Sequence, residues 1–247
     1  MNRYSSFVLR LLCLAAPILA LSAGAAEGVQ SPTPKELLDR YVKATGGKAA
    51  LEKLKSRVMT GQIEVAALGV SGPFEIVAKA PNKQVSKIEF EGFGSMQEGF
   101  DGKTAWAVAP FQGARVKEGS ELARVQRTTW FPRELYLEKT YDRFEVKAAA
   151  RIDGVDTWMV EATPKAGKPD RLYFDRTTGL LVREETTVDT PVGEMTFQID
   201  LSDYREVDGV KVPFSMKVPK PAELGFNIKF AGVKHNVEVD DARFRKP

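Results

Sequence analysis

Thiols and imidazoles are almost missing from this chain. Of its 247 residues, one is a cysteine and one is a histidine. Cys13 lies in the first apolar stretch, where Arg10-Leu11-Leu12 precede it in place of the small residues that lipid attachment requires. The rest of the chain can form no disulfide and no cysteine-ligated metal site, so the core must hold the fold unaided. His235 stands between Lys234 and Asn236. A serine triad needs a histidine close to a serine and a carboxylate, and Gly69-Val70-Ser71-Gly72 is not a Gly-x-Ser-x-Gly elbow. His235 therefore reads as a surface or hydrogen-bonded structural residue. A zinc site wants three or four convergent ligands. The acidic pairs Glu184-Glu185 and Asp240-Asp241 are adjacent in sequence; on a strand their side chains point to opposite faces and read as solvated charge. The expectation is a protein with no catalytic residue, no metal and no cofactor.

Phosphate-binding loops are missing too. Gly46-Gly47-Lys48 would need a further glycine at Val42 to make a Walker loop, and Gly92-Phe93-Gly94 has Gln97 where a dinucleotide fingerprint needs its third glycine. Both read as turns.

Charge of one sign is also absent, the formal net charge being +3 with acids and bases interleaved along the chain. Such a pattern lacks the concentrated basic patch of a nucleic-acid binder. Long hydrophobic runs are missing as well. The apolar stretch from Leu11 to Leu21 is short for a membrane span and is interrupted by Pro17. With Arg3 and Arg10 ahead of it and Ala23-Gly24-Ala25 behind, it reads as a secretory signal, residues 1–25, cleaved after Ala25. Loss of those two arginines takes the charge from +3 to +1. The mature chain, residues 26–247, reads as a single periplasmic domain with no transmembrane span.

What the chain does have is apolar material, 43% of residues, arranged with clear periods. Thr33, Pro34 and Glu36 make a capping box ahead of Leu37, Leu38, Tyr41 and Val42, which recur at helical spacing. Gly46-Gly47 ends this helix, and a second short one is expected over 49–54. From Arg57 onward the period is two. Ile63, Val65 and Ala67 alternate with Gln62, Glu64 and Ala66, as Phe74, Ile76 and Ala78 do with Glu75, Val77 and Lys79, and the pattern is clearest from Met195 to Phe230. Asp101-Gly102, Asp153-Gly154, Asp208-Gly209 and the loop Asp175 to Gly179 separate strands with tight-turn chemistry. The expectation is an antiparallel meander of ten or eleven strands, each paired with its neighbour in sequence.

One segment departs from this pattern. In KEGSELARVQRTTWFPRELYLEK, from Lys117, Ser120 is placed to cap a helix presenting Leu122, Val125 and Thr129 on one face, and Pro132 stops it. Such a helix must lie on the apolar face of the sheet. The fold class read from these patterns is mainly β (α+β): a strongly curved antiparallel sheet with helices on its concave side.

Three stretches carry a resemblance. "LLDRYVKATGGKAALEKLKS" from Leu37, "LYFDRTTGLLVREE" from Leu172 and "DYREVDGVKVPF" from Asp203 make the chain similar to exported bacterial proteins of the LolA/LolB-like superfamily. The resemblance implies an unclosed β-barrel whose apolar inner side is covered by helices, with lipoprotein acyl chains or other lipids as cargo. The function expected is periplasmic binding or carriage of a lipid, an acylated protein or another apolar ligand. Leu122, Val125, Trp130, Phe131 and Leu135 from the helical segment, with Phe197, Ile199, Phe214 and Phe226 from the sheet, are expected to line the cavity. Each competes with a plain core role, as do Trp106 and Trp158. The alternative is a filled scaffold docking on an envelope protein through a sheet edge or the loop Pro219 to Gly225, whose prolines keep it from pairing as a central strand.

Overall fold

The computed structural model describes residues 31–247 except Phe93, Phe111, Pro191, Val192, Glu223 and Leu224, and except the side chains of Asp189 and Thr190. The expected signal segment with Cys13, and two positions of the loop Pro219 to Gly225, lie outside the described residues.

Thr33, Pro34 and Glu36 form the cap that their spacing predicts. The Thr33 hydroxyl accepts from the Glu36 amide at 3.2 Å, and a Glu36 carboxylate oxygen accepts from the Thr33 amide at 2.7 Å. Helix α1, Pro34–Ala44, buries Leu37, Leu38 and Tyr41. Helix α2 is Lys48–Leu51. It is shorter than the stretch 49–54 expected from sequence, because the Asn236 side chain takes the Lys55 amide at 2.7 Å and draws the chain into the sheet. Gly46 allows the corner between the two helices. A Cβ there would stand 2.4 Å from the Gly209 carbonyl oxygen, so backbone touches backbone.

Among the described residues, thirteen strands make one antiparallel sheet. The first run is β1 Ser56–Val65, β2 Val70–Lys79, β3 Lys83–Phe90, β4 Gly94–Phe100, β5 Ala105–Ala109 and β6 Gly113–Val116. After helix α3, Gly119–Thr128, a 3-10 turn Arg133–Leu135 and helix α4, Leu137–Thr140, the second run follows. It comprises β7 Arg143–Ile152, β8 Val155–Thr163, β9 Asp170–Asp175, β10 Leu181–Thr190, β11 Gly193–Val207, β12 Val210–Lys220 and β13 Phe226–His235. The count exceeds the expected ten or eleven because β4, β5 and β6 are short and rich in Gly and Ala, which leaves little alternation to read.

The expected pairing in sequence order holds within each run and fails between them. The order across the sheet is β6-β5-β4-β3-β2-β1-β13-β12-β11-β10-β9-β8-β7, so β1 joins β13 while β6 and β7 form the two edges. The barrel is therefore unclosed, as the fold class predicts. The helical segment from Gly119 to Thr140 is the connection from one edge to the other, so it crosses the inner face.

Aspartate–glycine turns do what their chemistry suggests. Asp153 and Gly154 both adopt positive φ between β7 and β8, as Asp208 and Gly209 do between β11 and β12. Asp175 accepts from the Thr177 and Thr178 amides at 2.6 and 3.1 Å in the loop that leads to β10.

The inner face is packed by two clusters. One joins Leu51, Leu54 and Phe131 to Met59, Ile63, Phe74, Phe214 and Phe230. The other joins Leu37, Tyr41 and Leu137 to Trp158, Leu172, Phe174 and Leu181. A third cluster lies on the opposite face, where a C-terminal 3-10 turn, Asp241–Phe244, lays Phe244 against Val77, Val85 and Trp106. The Trp106 indole donates to the Phe244 carbonyl at 2.8 Å. Gly99, opposite Trp106 in register, has to be a glycine: a Cβ there would lie 2.2 Å from the indole ring.

Candidate functional site

Helix α3 is fastened more by charge than by packing. Near its start, both Arg115 guanidinium nitrogens bond the two Glu121 carboxylate oxygens at 2.7 and 2.8 Å, tying it to edge strand β6. Near its end, Arg127 Nε lies 3.0 Å from Asp170 Oδ2 at the start of β9. Just before it, Lys117, with a side chain only 3% exposed, pairs with Glu98 of β4 at 2.7 Å. No α3 residue is fully buried; Leu122 and Val125 are half-buried. Ser120 lies inside the helix instead of capping it, because Glu118 is the cap residue and Gly119 turns the chain through a positive φ of 53°.

The nine residues expected to line a cavity fall into three groups. Phe131 and Phe214 are buried in the first inner cluster, with Leu135 and Phe226 packed against it. Trp130 stacks on Tyr136 with ring centroids 4.8 Å apart. Leu122 and Val125 on α3, and Phe197 and Ile199 on β11, are half-buried and belong to none of the clusters. Phe197 pairs in register with Thr186, and Ile199 with Glu184, which places both on the face that α3 crosses. Farther along that face, Met96 pairs with Ile88 and is 43% exposed.

Between the inner clusters runs a chain of buried charge. Arg133 holds Glu184 bidentately at 2.7 and 2.8 Å, and the Tyr141 hydroxyl donates to Asp170 at 2.6 Å beside Arg127. Burial opposes the charge of both Arg133 and Glu184, but their pairing outweighs it: the guanidinium is raised and the carboxyl lowered. Burial also lifts the phenols of Tyr41, Tyr141 and Tyr204. Tyr204 donates to the Leu181 carbonyl at 2.7 Å. At the other end, Arg57 lies 5.2 Å above the Phe131 ring and donates from Nε to His235 Nε2 at 2.9 Å. Burial lowers the Arg57 pKa.

Two readings from sequence are corrected here. Glu184 is not solvated charge: it points inward to Arg133 and is 5% exposed, while its neighbour Glu185 points the other way to Arg171 and Tyr173. The inner face is not uniformly apolar either. Arg57, Arg127 and Arg133 balance Glu134, Asp170 and Glu184 on it; sequence reasoning misread Glu184 and gave the other five no role. The available signal was Arg133-Glu134 inside an otherwise aromatic stretch, and Glu184 in phase with inward-facing Leu172, its register partner.

Of the two readings of His235, surface or hydrogen-bonded, the hydrogen-bonded one is seen: its Nε2 accepts from Arg57. Its side chain is 1% exposed, and Asp208 Oδ2 lies 3.3 Å from Nδ1, out of line for a hydrogen bond. Burial, then the Arg57 charge, lowers its pKa. Among the described residues no group of three His, Cys, Asp or Glu is placed to hold a metal ion, and no helix is long and apolar enough to cross a membrane. Two open surface hollows, of about 480 and 440 Å³, lie beside Arg40 and Lys211 and beside Ala66 and Asn227. Neither is lined by the nine expected residues.

No protein-family model matches the chain, and no curated protein does. Solved structures do. A LolA superfamily protein from Nitrosomonas europaea is 12% identical with a TM-score of 0.59, covering 87% of this chain and 99% of its own. The chain has the LolA-like fold. A DUF1329 family protein from Desulfovibrio piger (18% identity, TM-score 0.55) covers 85% of this chain and 96% of its own. An outer membrane lipoprotein-sorting protein domain from Vibrio parahaemolyticus (12%, 0.54) gives the same two shares. The LolA-like frame accounts for the unclosed sheet with helices across its inner face. At these identities the likeness extends to the fold alone.

Proposed function

We propose that this protein is a non-enzymatic carrier or binder of a lipid, an acylated protein or another molecule with a long apolar part, working in the periplasm after removal of residues 1–25. The observation that supports the reading is the half-buried state of Leu122 and Val125 on α3 and of Phe197 and Ile199 on β11, none of which belongs to a packed cluster. Phe197 and Ile199 lie on the sheet face that α3 crosses, and that helix is held by ion pairs at its two ends. A cover fastened this way can lift without unpacking an apolar core, and lifting it opens apolar surface on both sides. Each acyl methylene buried there contributes about 0.8 kcal/mol, so a long chain binds tightly without specific polar contacts. The LolA-like fold supports the same reading, since the similar domain from Vibrio parahaemolyticus is described as lipoprotein-sorting.

A titration of a fluorescent fatty-acyl probe tests it. Wild type binds the probe with saturation, and Leu122→Glu or Phe197→Glu, each placing a charge in the gap, weakens binding at least tenfold, the cost expected of a desolvated carboxylate. No saturable binding by the folded wild type defeats the proposal.

The two packed inner clusters favour a second reading, a filled scaffold that docks on an envelope protein. Probe binding that is absent, together with capture of an envelope protein through a sheet edge, selects it.

A further inference from the structure

The inner face has two chemically different ends. Strands β1 and β13 pair from Arg57 and His235 at one end to Glu64 and Asn227 at the other. The first end holds Arg57, His235 and the turn Arg133–Leu135. From there toward edge strand β6 the inner face turns apolar through Phe74, level with Gly61 of β1, and then Ile88 and Met96, which follow it in register across β3 and β4. A guest lying along this face meets charge at one end and hydrocarbon at the other.

At the charged end two opposite charges are left incomplete. Arg57 Nη2 and Glu134 Oε2 are buried with no hydrogen-bond partner, although the two groups are near enough for the glutamate to favour the arginine's charge. The rest of the Arg57 guanidinium is occupied, Nε by His235 and the plane by Phe131. An unsatisfied buried charged group costs more than an ordinary missing hydrogen bond, so a donor and an acceptor both left open at this end of the face are a vacancy for something polar.

We propose that Arg57 and Glu134 read the polar head of the bound amphiphile, Arg57 Nη2 donating to an anionic oxygen and Glu134 Oε2 accepting from an N–H or O–H beside it. The chemical class is a phosphate ester whose anionic oxygen is followed within a few bonds by a hydroxyl or ammonium donor. The inference rests on the carrier reading and deepens it by naming which end of the guest lies where. The tail runs toward Phe74, Ile88 and Met96. No further polar contact is needed, because Arg133 and Glu184 already satisfy each other.

Three lipids with identical acyl chains separate the two contacts. Phosphatidylethanolamine offers both the anionic oxygen and the N–H donor. Phosphatidylcholine keeps the anion and has no N–H donor, and diacylglycerol, used as its 3-acetyl ester, has neither the anion nor an N–H or O–H donor. Competition of each against a fluorescent acyl probe gives the ranking. Wild type prefers phosphatidylethanolamine over phosphatidylcholine, and phosphatidylcholine over diacylglycerol, by about tenfold at each step, the worth of a hydrogen bond to a charged group. Glu134→Gln removes the first preference and leaves the second. Arg57→Gln removes the second; if that variant does not fold, Arg57→Lys and the wild-type ranking still decide. Equal binding of the three lipids overturns the head-group assignment and leaves carriage standing, with the two orphaned atoms bridged by structural water. Binding of none of them removes the carrier reading itself.

Discussion

Arg127 of α3 and Asp170 of β9, forty-three residues apart in sequence, meet with Nε 3.0 Å from Oδ2 in a setting where the carboxylate is wholly buried. The same oxygen accepts from the Tyr141 hydroxyl at 2.6 Å, so one aspartate joins the cover helix, the segment after α4 and the sheet. Buried pairs are poor at adding stability and costly to break, because removing one partner strands the other.

Replacing Arg127 by alanine therefore destabilises the fold by about 3 kcal/mol, the low end for a broken buried pair because Tyr141 keeps one bond to Asp170. Urea unfolding measures this. Limited proteolysis of the same variant cuts first within 119–128, since the remaining fastening within the helix, Arg115 to Glu121, is half-exposed and Lys117 to Glu98 holds only the residues before it. Arg115→Gln costs under about 1 kcal/mol, as exposed pairs do, yet increases cleavage at the same place.

Stability falls with acid through His235. Its folded pKa lies below the ordinary 6.5, so as pH falls through that value the unfolded chain takes up a proton that the folded chain resists. The unfolded state then binds more protons, and the contribution fully present above about pH 7 is lost toward pH 5. Comparing urea midpoints of wild type and His235→Gln across that range isolates the effect. The wild type loses more than the variant does; equal losses mean that the imidazole titrates normally.

Gly99→Ala tests the packing of the opposite face. The new methyl collides with the Trp106 ring, the indole that bonds the Phe244 carbonyl, and costs about 1–3 kcal/mol. A thermal melt shows the loss, and the C-terminal residues 240–247 become more susceptible to carboxypeptidase. An unchanged melting temperature means that Trp106 has room to move.

Local chemistry made much of this fold legible. The capping box at Thr33, the aspartate–glycine turns and the alternation in β11 to β13 each act through neighbours a few residues away, and each forms as read. Strand order across β1 and β13 and the exposed edges β6 and β7 depend on where the chain returns, which no local pattern records. Among the residues expected to line a cavity, Phe197 and Ile199 are half-buried, whereas Phe131 and Phe214 are buried in the first inner cluster. The charged chain was not read as buried because its members, Arg57, Arg133, Glu134 and Glu184, are ordinary surface residue types. Only the crossover from β6 to β7 brings them inside.

Native mass spectrometry of the purified, folded protein, followed by organic extraction, tests the central claim most directly. The account predicts a population heavier than the mature chain by the mass of one amphiphile, which extraction releases and Phe197→Glu abolishes. A single species at the mass of the chain alone, unchanged after incubation with excess phosphatidylethanolamine, contradicts it.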